Sequence, residues 1–138
     1  MKLVLVLSIT LLAGCASFRR QSVVSNLRSS DQVEGSAIAF DGHPGRFAVL
    51  FERLRTSATD DDVEVMIRDS SAPVRLAGYL LACERWPQKK DAIFSKADQD
   101  LGEVTFLFGC DPFGERSRLG PLVRNPERVI LNHLAGIG

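Results

Sequence analysis

Thiol or imidazole chemistry in this 138-residue chain could come from five side chains: Cys15, Cys83, Cys110, His43 and His133. Cysteine catalysis would need Cys83 or Cys110 beside one of the two histidines. Cys83 falls in the apolar run Leu80-Leu81-Ala82-Cys83, where a thiol is ordinarily an inert packing group. His43, between Gly42 and Pro44, reads as a surface turn residue, and His133 as the edge of a last helix. No Cys-x-x-Cys occurs, so no zinc-type ligand set is expected. Acids cluster at Asp60-Asp61-Asp62 and again at Asp98, Asp100 and Glu103 around Gly102. Neither cluster has the ligand spacing of a calcium loop, and helix capping and solvation account for both. There is no Gly-rich phosphate loop, no Gly-x-Ser-x-Gly elbow and no His-Glu-x-x-His. The expectation is a non-enzymatic chain with no metal and no cofactor.

Cys15 stands apart because of what precedes it. The chain opens Met1-Lys2, runs through apolar residues from Leu3 to Leu12, and continues Ala13-Gly14-Cys15. A basic start, a short apolar run and small residues before a cleavage point form a secretory signal. The run is too short to span a bilayer, which takes about 20 residues. Leu12-Ala13-Gly14-Cys15 resembles a bacterial lipobox. The resemblance implies cleavage between Gly14 and Cys15, diacylglycerol on the Cys15 sulfur, and an acyl chain such as palmitate on its amine. Two or more acyl chains anchor a protein stably where one gives only marginal binding. Cys15 is followed by Ala16 and Ser17 rather than by an acid. The sorting rule of enteric lipoproteins then implies the outer membrane, facing the periplasm.

The other two thiols would lie in an oxidising compartment, so a Cys83–Cys110 disulfide is expected. Closing a loop of roughly 28 residues would stabilise the fold by about 3–4 kcal/mol on the chain-entropy view. The alternative is two separate buried thiols.

Seventeen basic and seventeen acidic residues give zero net charge, and no basic stripe interrupts the pattern. That excludes a general nucleic-acid binder, which needs positive charge to displace counterions. Hydrophobic residues make up 45% of the chain, a globular composition.

The elements that would carry these residues follow from periodicity. Residues 1–14 are the signal peptide, and residues 15–36, polar in character, read as a lipidated N-terminus and flexible tether. Residues 37–138 form one domain. Ala37-Ile38-Ala39-Phe40 is a short extended piece, broken by Asp41-Gly42-His43-Pro44-Gly45. Phe47, Leu50, Phe51 and Leu54 make one helical stripe; Val63, Met66 and Ile67 make a second, capped at Thr59 or Asp60. A third helix starts with Pro73 in its first turn and carries Val74, Ala77, Gly78, Leu80, Leu81 and Ala82 until Trp86-Pro87 stops it. A fourth, Gln88 to about Ala97, buries Ile93, Phe94 and Ala97. Val104, Phe106 and Phe108 alternate as a strand. Gly109 to Gly114 is a loop, and Asn125-Pro126 opens a last helix with Ile130, Leu131, Leu134 and Ile137 on its face.

The stretch from Val65 to Ala82 resembles a HEAT-like repeat, two antiparallel helices joined by a short turn. Asp69, Val74, Arg75, Ala77 and Leu81 match its layout: an acid that closes the turn, Val-Arg opening the second helix, and small residues for close stacking. The whole outline is similar to small bacterial lipoproteins of unassigned function that carry one such hairpin. The fold expected is mainly α, HEAT-like antiparallel hairpins with one or two short extended segments. The resemblance implies a membrane-anchored, non-catalytic protein that binds a protein partner along exposed helices. A different class fits the same features, an immunity lipoprotein that neutralises a periplasm-acting toxin, and a neighbouring toxin gene would favour it. An envelope enzyme is disfavoured, and activity on cell-wall or ester substrates would revive it.

Overall fold

The computed structural model describes residues 20–38, 43–110 and 113–130. The described chain is mostly helical, with one small sheet. Helix α1 occupies residues 20–28. It is followed by β1 (Gln32–Ile38), α2 (Arg46–Ser57), α3 (Asp60–Ile67), α4 (Ala72–Arg85), a 3-10 turn (Pro87–Lys89), α5 (Lys90–Gln99), β2 (Glu103–Gly109), β3 (Glu115–Arg118), α6 (Leu119–Arg124) and a second 3-10 turn (Pro126–Arg128).

The four central helices follow their stripes. Phe47, Leu50, Phe51 and Leu54 of α2 are buried, as are Val63 and Met66 of α3. Thr59 caps α3 through a reciprocal box. Its Oγ1 accepts the Asp62 N–H at 3.2 Å, and the Asp62 carboxylate accepts the Thr59 N–H at 2.7 Å. Val74, Leu76, Ala77, Leu80, Leu81 and Ala82 of α4 are buried. Gly78 lets α4 lie against the end of α3: a Cβ there would sit 2.8 Å from the Ile67 nitrogen. Trp86 closes α4, and Ile93 and Ala97 bury α5.

Two ends of this helical layer are fixed by ion pairs. Arg20 at the start of α1 meets Asp62 at the start of α3, and Arg28 at the end of α1 meets Asp69 just past α3. The two helices therefore run in the same direction. Helix α4 runs back, because its last residue, Arg85, meets Asp60 at 2.9 Å. Helix α2 also runs back: Arg46 reaches Asn26 at 2.9 Å, and Arg55 reaches Glu84 at 3.0 Å. The Arg20 end thus collects the start of α1, the α2–α3 turn and the α4–α5 turn. The Asp69 end collects the α1–β1, α3–α4 and α5–β2 turns.

The sheet has the order β1-β2-β3. β1 pairs parallel with β2, Val33 opposite Phe106, and β2 pairs antiparallel with β3, Glu103 opposite Arg118. A parallel pair needs a long crossover, supplied here by α2 to α5. The β2–β3 connection begins at Gly109 and ends at Gly114, with φ of +72° and +68°, the left-handed region that glycine enters without a Cβ penalty.

Four expectations are corrected. Residues 20–36 are part of the domain, not a tether: Val23 and Leu27 of α1 and Val33 of β1 are buried in the common core. Their apolar spacing, i and i+4 and then a strand position, suffices with Val24 beside them to seat a segment whose other residues are mostly polar. The extended segments number three and share one sheet, rather than one or two isolated pieces. Asn125-Pro126 opens on a 3-10 turn rather than an α-helix among the described residues, and the Asn125 side chain donates back to the Pro121 carbonyl at 2.8 Å instead of capping it. Leu131, His133, Leu134 and Ile137 lie outside the described residues. Cys83 and Cys110 are separate free thiols: Cys83 is half-buried on α4, and Cys110 is exposed in the turn after β2.

Candidate interaction surface

The densest polar cluster lies at the Asp69 end and joins residues far apart in sequence. Arg75, in the first turn of α4, grips the Asp100 carboxylate with two donors, Nε at 2.8 Å and Nη2 at 3.0 Å. Its remaining nitrogen, Nη1, donates to the carbonyls of Asp69 and Ser70, both at 2.9 Å. Asp100 also accepts the Gly102 N–H at 2.8 Å and the Tyr79 hydroxyl at 3.1 Å. The Arg75 and Asp100 side chains are 17% and 9% exposed. Burial alone would raise the Asp100 carboxyl, but the Arg75 guanidinium and the Gly102 N–H outweigh it and hold it below the ordinary carboxylate range. Burial, and then the Asp100 charge, push the Tyr79 hydroxyl up to about 12.

Asp69 is similarly engaged. It accepts Arg28 and, at 2.8 Å, the Ser71 N–H, closing the turn between α3 and α4. These contacts overcome its burial and hold its carboxyl low. A shallow depression beside this turn is lined by Arg28, Ser30, Asp31, Ser70, Pro73 and Glu103.

Five of the six acids singled out in the sequence are engaged by arginines. Asp60 meets Arg85, Asp62 meets Arg20, Asp98 meets Arg124, Asp100 meets Arg75, and Glu103 meets Arg116. Among the described residues no group of three or more His, Cys, Asp or Glu side chains is placed to hold a metal ion. His43 is exposed ahead of α2; Gly14, Cys15 and His133 lie outside the described residues. Burial pushes the Cys83 thiol up, with Lys90 opposing and Glu84 adding to the rise, which disfavours the reactive thiolate.

The Arg20 end is built differently. Arg20, expected to be free in a tether, is paired, and its Nε is buried without a partner. Trp86 is half-exposed at the end of α4, with the Lys89 ammonium 5.6 Å from its ring centroid. Lys90 lies 5.4 Å from the Phe94 ring. Sequence reading used Trp86 only as a helix stop; the Trp-Pro-Gln-Lys-Lys run was the available signal for an amphipathic corner.

Comparison with protein-family models, with curated proteins and with solved structures finds no match for this chain.

Proposed function

We propose that the protein is a lipid-anchored envelope protein, attached through Cys15 to the periplasmic face of the outer membrane, that presents a non-catalytic helical surface to a protein partner. The observation that carries this reading is the run from Met1 to Cys15, with its lipobox-like ending Leu12-Ala13-Gly14-Cys15. Among the described residues no helix is long and apolar enough to cross a membrane, so an acyl anchor would supply the attachment. The α3–α4 pair supports the HEAT-like component. Asp69 and Arg75, two residues of that resemblance, close the turn together, and Gly78 permits the close approach. Such pairs commonly expose one helix face to another protein. The half-buried acids serve the fold through their arginines, which favours binding over catalysis.

The test is metabolic labelling with palmitate and membrane fractionation of the full chain beside Cys15→Ser. The wild type should label and fractionate with the outer membrane, and the variant should do neither. A variant that still labels and sediments with membranes would overturn the reading. Affinity capture from envelope extracts would then identify the partner.

A further inference from the structure

We infer that the Arg20 end of the helical layer faces the bilayer, with the Trp86 indole in the headgroup region and Lys89 and Lys90 on lipid phosphates. The inference rests on the proposed anchor at Cys15 and adds an orientation to it. Helix α1 begins no later than residue 20, so at most residues 16–19 separate it from the anchored cysteine. Even fully extended, that span reaches only about 17 Å, at roughly 3.5 Å per residue. The end of the domain that holds residue 20 is therefore kept beside the membrane.

The ion pairs show what else lies there. Arg20 meets Asp62 at the start of α3, and Asp60 at that same start meets Arg85, the last residue of α4. Trp86 follows directly, so the anchor point and the only tryptophan of the chain share one end. An indole has an apolar body and one polar N–H, the combination that favours a membrane interface. Lys89 and Lys90 are exposed, with their ammonium groups close to the Trp86 and Phe94 rings. Their stems can cover apolar surface while the charge reaches phosphate. The same end carries acids: Asp60, Asp62 and Glu84 are held by Arg85, Arg20 and Arg55, while Asp61 and Asp91 are exposed. It has no excess of positive charge large enough to hold the protein on lipid unaided. The contact therefore orients an anchored domain and does not recruit a free one.

Because Trp86 is the sole tryptophan, its emission reports the contact. The lipidated full chain would be reconstituted in phosphatidylethanolamine–phosphatidylglycerol vesicles with plain or brominated acyl chains, and flotation scored in parallel. Interfacial Trp86 should lose roughly half its emission in the brominated vesicles. Moving the indole to the far end by Trp86→Phe with Leu101→Trp, at a position 83% exposed beside Asp100, should abolish the quenching while flotation persists. Lys89→Glu with Lys90→Glu should float but quench less. Vesicle-bound wild type with identical emission in both vesicles would overturn the orientation, as would equal quenching at both indole positions. A lipobox-intact chain that does not float would overturn the anchor itself, a result the flotation arm separates from the other two.

Discussion

The two ends of the helical layer use the same residue types for different ends. At the Asp69 end the charges turn inward: Arg75, Asp100 and Tyr79 are largely buried, and Arg75 spends every nitrogen on the fold. At the Arg20 end the pairs lie on the surface, as between Arg85 and an Asp60 side chain that is 67% exposed, while Lys89 and Lys90 are exposed and Trp86, packed in part against the core, is half-exposed. An arginine–carboxylate pair acquires structural weight only when water cannot replace either partner. The first end is consequently a lock on three connections, and the second leaves its side chains available to something outside the molecule.

Asp100→Ala should give the largest effect. It leaves Nε and Nη2 of Arg75 and the Tyr79 hydroxyl without their carboxylate acceptor, at a cost of about 3 kcal/mol in urea unfolding. The pH dependence carries the same signature. Asp69 and Asp100 titrate below their ordinary value of 3.8 in the folded chain, so the unfolded chain binds protons first on acidification. The stability they contribute is complete above that value and lost as pH falls through the folded values. Asp100→Ala should therefore lose stability less steeply in acid than the wild type. On the alkaline side Tyr79, raised from 10.0 to about 12, works the other way: the unfolded chain releases its proton first, and stability falls as pH rises through that window.

At the opposite end Thr59→Ala, which removes the cap of α3, should cost about 1 kcal/mol. Asp60→Ala, removing only the exposed partner of Arg85, should cost about 0.5 kcal/mol in the same melts. Equal losses for Asp60→Ala and Asp100→Ala would erase the contrast between the ends.

Much of the helical layer was legible because α2 to α5 carry three or more apolar residues at helical spacing, enough to outweigh their charged neighbours. Helix α1 was not, since only Val23 and Leu27 are fully committed to the core, Val24 packs at its edge, and the rest of it is polar. Strand β3, Glu115-Arg-Ser-Arg118, has no apolar residue at all. Backbone pairing with β2 holds it, and that leaves no trace in side-chain pattern. Helix α6 hides behind Gly120-Pro121, which reads as a break, although Leu119, Leu122 and Val123 keep a helical stripe. The polar lock was invisible for another reason. Asp100 stood in the sequence as one of a loose acidic group, and Arg75 as part of a repeat signature. Only the return of α5 to the start of α4 brings them together.

The parallel pairing of β1 with β2 has a consequence in time. β1 leaves the ribosome early in synthesis, and its hydrogen-bonding partner emerges only after all four crossover helices have followed. Until then the flank of β1 that β2 will cover is an open strand edge, able to pair with any other extended chain. Contacts this distant in sequence also form slowly, since the intervening loop must close before they stabilise anything. The interval between synthesis of β1 and arrival of β2 is when this chain most needs a chaperone, and truncation anywhere before Glu103 makes that interval permanent.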